Sequence, residues 1–210
     1  MKQVKVRITF TEELLGTSPA NPKLFEDFIA ANAPDAPTRE EEIAALGVKE
    51  VMDKQMTVFP RLTPGECKAV GLPEDADVPF NWDYQWKGYF KDACGMLRRA
   101  TGMKSCKFTA YKKQIDGLVF LKERKVPLVL PEGGEIGVCQ RPLRAETQQG
   151  PRVALAYSET VPAGTTQTFT VILLNDQLEG ILHEWFDYGI LHGHGQWRNA
   201  GKGRYMVEYI

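Results

Sequence analysis

The sequence lacks an excess of charge of either sign. It has 26 lysines and arginines and 27 aspartates and glutamates in 210 residues, which gives a formal net charge of -1. Such a chain has no overall positive field to attract nucleic acid, so any nucleic-acid binding must depend on a local basic surface. If the protein binds nucleic acid, its cations must therefore cluster.

Paired cysteines and long apolar runs are also missing. Cys67, Cys94, Cys106 and Cys139 form no Cys-x-x-Cys pair, which argues against a zinc knuckle or a dithiol redox centre. We interpret them as reduced thiols and predict no metal and no cofactor. No segment approaches the roughly 18 apolar residues of a membrane span, and the N-terminus does not read as a signal peptide. These absences predict a cytoplasmic protein without membrane contact.

Hydrophobic periodicity predicts an α+β fold. Alternating apolar residues from Val4 to Phe10 predict an opening strand, and a helix capped by Asp83 follows later in the chain. The C-terminal third reads as a strand, a helix that starts at Asp176, a glycine-rich loop and a final strand at 205–209. This order predicts a single domain, residues 1–210, with a ferredoxin-like or RNA-recognition-motif-like βαββαβ core.

Two further segments interrupt this core. Residues 15–78 read as an insertion with a short helix after Asn21-Pro22 and a second helix that begins at Thr38 with a capping box. Residues from about 137 to 160 read as a protruding β-hairpin with a polar turn. Its arms carry Arg141, Arg144 and Arg152, which could grip a nucleic-acid strand.

The loop between the last helix and the last strand is the most informative motif. It contains two Gly-x-Gly pairs, formed by Gly193, Gly195, Gly201 and Gly203. An indole and three cations lie in or beside these pairs: Trp197, Arg198, Lys202 and Arg204. Glycines permit positive φ and close approach of the backbone to an anion. The loop therefore reads as a phosphate-binding loop or, alternatively, as a glycine-rich connection with only a structural role.

Other cations fall on predicted helices and strands. Lys87, Lys91 and Arg98 share one face of the helix that follows Asp83, where they either bind a ligand or are simply solvated. Further along, Lys107, Lys112 and Lys113 surround Tyr111, and basic residues with an interleaved aromatic are a weak signal for nucleic-acid binding.

The two Gly-x-Gly pairs, placed between a helix and the final strand, resemble the glycine-rich loop of the repeat-associated mysterious protein (RAMP) superfamily, the RNA-binding proteins of CRISPR systems. The segment Trp82 to Gly88 and the turn Glu159 to Gly164 resemble parts of the backbone subunits of CRISPR effector complexes. Together these similarities cover roughly residues 1–10 and 79–210. The family loop usually has an apolar residue inside each glycine pair, whereas this chain has His194 and Lys202.

The resemblance implies a protein that binds single-stranded guide-type RNA through its backbone, independently of sequence. It implies that Lys87 and Lys91 face phosphates and that Arg141, Arg144 and Arg152 lie on a thumb-like hairpin. Together with the loop and helix residues named above, the predicted RNA-binding residues are Lys87, Lys91, Arg98, Arg141, Arg144, Arg152, Trp197, Arg198, Lys202 and Arg204. The implied partners are single-stranded RNA, further copies of this chain and other CRISPR-like subunits. Two alternatives stay open. One is a metal-independent endoribonuclease that uses His192 or His194 as a base; the other is an interaction protein that occupies the place of a CRISPR subunit as a decoy or inhibitor.

Overall fold

A computed structural model of the protein describes residues 1–19, 56–147 and 150–210. Within these ranges, the side chains of residues 143–154 lie outside the described part. The helices predicted after Asn21-Pro22 and at Thr38 lie outside the described residues. The strands are β1 (Lys2–Phe10), β2 (Leu14–Leu15), β3 (Ser18–Pro19), β4 (Met56–Val58), β5 (Phe80–Trp82), β6 (Val119–Leu121), β7 (Lys125–Pro127), β8 (Gly137–Thr147), β9 (Gly150–Val161), β10 (Thr166–Leu173) and β11 (Tyr205–Tyr209). The α-helices are α1 (Pro64–Ala69), α2 (Asp83–Leu97), α3 (Tyr111–Leu118) and α4 (Glu179–His192), and the mixture confirms the predicted α+β class.

A four-stranded antiparallel sheet forms the centre of the molecule, with the strand order β11-β1-β10-β6. The alternation predicted for β1 is confirmed: Val4, Val6, Ile8 and Phe10 are buried, and the residues between them face outward. The apolar stripes of α2 and α4 join the same hydrophobic cluster as this strand. One face of the sheet therefore packs against α2 and α4.

A second sheet carries the hairpin. Strands β8 and β9 pair along their whole length, from Gly137 with Thr160 to Thr147 with Gly150. Among the described residues, short pairings with β2 and β4 hold the end of β9 from Tyr157 to Val161. The arms of the predicted hairpin are therefore the two longest strands described, and they extend from a base fixed on the core.

The start of α2 differs from the expectation in one detail. Asp83 is the first residue of the helix rather than its cap, and Trp82 occupies the capping position. The Gln85 side chain accepts a hydrogen bond from the Trp82 backbone N–H at 2.9 Å. Asp83 instead pairs with Arg124, and its carboxylate lies at the positive end of the helix dipole.

Candidate nucleic-acid interface

The glycine loop folds back onto the protein. Its four glycines have φ between +70° and +83°, a region that other residues rarely occupy. The backbone N–H of His194 donates to the carbonyl of Gly203, and the N–H of Gly203 donates to the carbonyl of Glu13, both at 2.8 Å. A Cβ placed on Gly203 would lie 2.0 Å from the His194 carbonyl oxygen. The first and second glycine pairs thus pack against each other, and their close contact leaves no room for a side chain.

His194, the residue inside the first glycine pair, lies in the core. Its imidazole stacks on the Trp86 indole with a centroid separation of 4.2 Å and an angle of 6° between the planes. The residue is only 4% exposed, and burial lowers the pKa of His194 to about 3. The ring is therefore neutral at physiological pH and acts as part of the aromatic core.

This buried histidine predicts acid sensitivity. Because the folded chain keeps His194 neutral while the unfolded chain takes up a proton below about pH 6.5, its stabilising contribution is complete above that pH and decreases as the pH falls toward 3. Between pH 7 and pH 5 we expect a loss of about 2 kcal/mol in the free energy of unfolding from this group. Urea unfolding followed by circular dichroism at each pH measures it.

The variants His194→Leu and His192→Gln separate this effect from general acid sensitivity. His194→Leu should be much less pH-dependent over this range, whatever its absolute stability. His192→Gln should keep most of the dependence, because His192 is only partly buried and lies 3.4 Å from Asp92. Equal pH dependence of the wild-type protein and His194→Leu would show that His194 is not held neutral.

The loop cations are largely engaged in ion pairs. Lys202 Nζ lies 2.7 Å from a Glu13 carboxylate oxygen, and Arg198 Nη1 lies 2.6 Å from Asp92. Arg204 is exposed at the start of the last strand. Trp197 is 39% exposed and adopts a left-handed backbone conformation with φ of +56°, which is uncommon for a bulky residue. The loop therefore presents an indole and an arginine side by side.

The hairpin arginines are placed differently from one another. Arg141 is buried at the base of the hairpin, where it donates to the Gln196 side chain and its guanidinium carbon lies 5.7 Å from the centroid of a Trp197 ring. This differs from the expected surface position, because the glycine loop covers the base of β8. The side chains of Arg144 and Arg152 lie outside the described part, and their proposed RNA contacts stay predictions.

The three cations predicted on α2 lie along one side of the helix. Lys87 is half-buried, donates to the backbone carbonyl of Asp116 and lies 4.2 Å from the centroid of the Phe120 ring; burial lowers the pKa of this lysine. Lys91 forms an ion pair with Asp116 at 2.5 Å. Arg98 is exposed, and its guanidinium carbon lies 5.1 Å from the centroid of the Tyr111 ring.

A basic segment, which was not predicted as a unit, extends from α2 to the start of β7. Residues 87–125 contain eleven lysines and arginines but only three acidic residues, although the whole chain is near neutrality. Arg99 and Lys112 line an open depression of about 580 Å³ together with Lys91 and Tyr111. Both are exposed and form no ion pair with any described residue. A count of charge in a sliding window would have identified this segment.

We name this surface the α2–α3 basic surface; its residues are Lys91, Arg98, Arg99, Tyr111, Lys112 and Lys113. It adjoins the glycine loop. Asp92 lies on the wall of the depression and also on the wall of a cavity beside Arg198. Asp92 thus connects the α2–α3 basic surface with Arg198 of the glycine loop.

The geometry does not favour the nuclease alternative. Burial lowers the pKa of His194 to about 3, so its imidazole is a weak base toward an RNA 2′-hydroxyl. His192 is near Arg198 and Asp92, and burial lowers its pKa. Among the described residues, no group of histidine, cysteine and acidic side chains has the arrangement of a metal site, and no helix is long and apolar enough to cross a membrane.

No protein-family model and no curated protein matches the chain. Two solved structures are similar to it in fold. One is a chain of the type III-B Cmr-beta structure bound to cognate target RNA, with a TM-score of 0.49, 10% identity, and coverage of 100% of this chain and 61% of that chain. The other is a chain of a type IV-B CRISPR complex, with a TM-score of 0.47, 12% identity, and coverage of 100% and 90%. This chain therefore spans less than two thirds of the length of the Cmr-beta chain.

Proposed function

We propose that this protein binds single-stranded RNA through the sugar–phosphate backbone, without sequence preference, as a subunit of a CRISPR-like assembly. The observation that carries the proposal is the α2–α3 basic surface, where exposed cations surround a partly buried tyrosine in a chain of near-zero net charge. Cations that neutralise phosphates and aromatic rings that stack on bases are the two components of sequence-tolerant single-strand binding.

The topology supports a ferredoxin-like core for this function. The core elements follow the order β1, α2, β6, β10, α4, β11 in the chain. In the sheet, β1 lies between β11 and β10, and β6 pairs with the other side of β10. This order supports the βαββαβ arrangement that we propose for the core. RNA-recognition domains are built on the same plan. The insertion and hairpin boundaries, and association with copies of the chain or with other subunits, stay predictions.

Ion pairing within the protein determines which cations we propose as the main RNA phosphate ligands. Arg98, Arg99, Lys112 and Lys113 are exposed and have no carboxylate partner among the described residues, so phosphate does not have to displace one. Lys202 is held by Glu13 and is therefore less available than these four residues. Arg198 must break its ion pair with Asp92 before it can bind phosphate.

The test is the binding of a fluorescently labelled 30-nucleotide oligouridine RNA, followed by anisotropy. The double variant Arg99→Glu/Lys112→Glu should bind at least tenfold more weakly than the wild-type protein. It should also have a shallower salt dependence, because each lost phosphate contact lowers the slope of log K against log salt by about 0.7.

Lys68→Glu provides the matched control. Lys68 is a well-exposed lysine of α1, 2.9 Å from Glu74, and α1 belongs to a separate small cluster near the start of α2. The basic surface lies toward the other end of that helix, so this charge reversal should leave RNA affinity nearly unchanged. Equal affinity of the double variant and Lys68→Glu would contradict the proposed function.

A further inference from the structure

A cavity of about 420 Å³ opens beside the α2–α3 basic surface. Its walls combine apolar groups from Leu14 and Leu15 with the side chains of Tyr84 and Gln85, and Arg198 stands on its wall. Cavities of about 300–1,000 Å³ with mostly apolar walls and a few polar groups are typical of small-ligand sites. The residues that define the α2–α3 basic surface do not line this cavity.

Gly88 forms part of the cavity wall from the middle of α2. A glycine within a helix lowers stability by about 1 kcal/mol relative to alanine, so its presence usually reflects a packing or functional requirement. Packing among the described residues does not supply one here, because a Cβ added to Gly88 would meet none of their atoms within 4 Å. The open space in front of this glycine lets a ligand approach the helix backbone closely.

His194 supplies an independent sign of a ligand. It lies on the cavity wall and is 4% exposed, yet its Nδ1 has no hydrogen-bond partner among the described residues. An unsatisfied polar atom in the interior is unfavourable by about 1–3 kcal/mol. A partner that enters the cavity and offers a complementary donor or acceptor would relieve this deficit.

The shape and chemistry fit a flat heteroaromatic ring. Apolar walls accept its faces, whereas the polar edge of such a ring can meet the imidazole and the Gln85 amide. Arg198 on the same wall is placed to meet a phosphate that is joined to that ring through a sugar. A nucleobase that is unstacked from a single strand has these properties.

We propose that this cavity receives one nucleobase of the bound single-stranded RNA, with Gly88 providing the space and His194 contacting the base. The proposal depends on the proposed function, since it adds a base site to the backbone-binding surface. The site accommodates the ring mainly by shape and stacking, which is compatible with tolerance of sequence.

Gly88→Leu tests the proposal by filling the cavity. The substitution meets no clash at Cβ and raises helix propensity, so the protein should fold. We expect its affinity for the oligouridine RNA to fall about tenfold, the usual scale for loss of one base–aromatic contact. The matched control is Gly117→Leu, which changes a helical glycine of α3 with equally open surroundings outside the cavity.

An abasic ribose–phosphate oligomer separates the two proposals. Wild-type protein and Gly88→Leu should bind this oligomer equally, because it has no base to occupy the cavity. Equal affinities of Gly88→Leu and Gly117→Leu for oligouridine would overturn the base site while leaving backbone binding intact. Free uridine and adenosine provide a direct readout: titration should shift the His194 side-chain NMR signals in the wild-type protein and not in Gly88→Leu, and the absence of any shift would also count against the site.

Discussion

Replacing Gly203 by alanine should lower the free energy of unfolding by about 3 kcal/mol or more, because two unfavourable effects add. The residue has φ of +70°, a conformation that a Cβ disfavours. The new methyl group would also lie 2.0 Å from the His194 carbonyl oxygen, so the backbone of the loop must shift. Urea unfolding at pH 7.5, followed by circular dichroism, measures the change.

Gly201→Ala is the control that isolates the steric effect. Gly201 has a similar φ of +83°, but its nearest atoms within contact range belong to the side chain of Arg204, at 3.6 Å and beyond. We expect only the conformational part of the loss, about 1 kcal/mol. If both variants lost the same stability, the close approach of the two glycine pairs would not be important for the fold.

The spacing of the glycines identified the loop but did not reveal its role. Its glycines marked a position between a helix and a final strand, which local spacing reveals. Whether the loop met a ligand or the core depended on Glu13 and on Trp86, both far away in the sequence. A histidine in place of an apolar residue suggested chemistry, yet stacking on an indole makes it a core residue.

Periodicity predicted the elements whose burial is set within one segment. The alternation in β1 and the apolar stripe of α2 reflect one buried face each, so the sequence alone identifies them. Pairing across the chain was less accessible. Arg141 has the same residue type and strand context as Arg144, and its burial follows from the position of Gln196 against the base of the hairpin.

The candidate surface was only partly predicted for a related reason. Lys91 and Arg98 were identified by helical spacing, and Lys112 by its position beside Tyr111, whereas Arg99 was not identified. Arg99 follows α2 and Lys112 lies on α3, and only tertiary packing brings them together around one depression. The cavity was not anticipated. Its wall combines residues from the β2 region, α2 and the glycine loop, and no local pattern links these segments.

Replacing Trp86 by alanine should destabilise the protein by about 3–5 kcal/mol, the range for removal of a large aromatic side chain from a core. Trp86 is fully buried, and its indole N–H donates to the Gln167 side chain at 3.3 Å. Its ring also stacks on His194 and lies 4.8 Å from Phe169 of the central sheet. The substitution therefore removes contacts that join α2, the sheet and the glycine loop.

Trp197→Ala should give the opposite combination of effects, since this indole is 39% exposed and next to Arg198. We expect a change in unfolding free energy of about 1 kcal/mol or less, because the lost contact is mainly the one with Arg141. RNA affinity should fall about fivefold or more if the indole stacks on a base. Measuring stability and RNA binding for both tryptophan variants tests the division between core and surface, and an unchanged RNA affinity in Trp197→Ala would remove this residue from the interface.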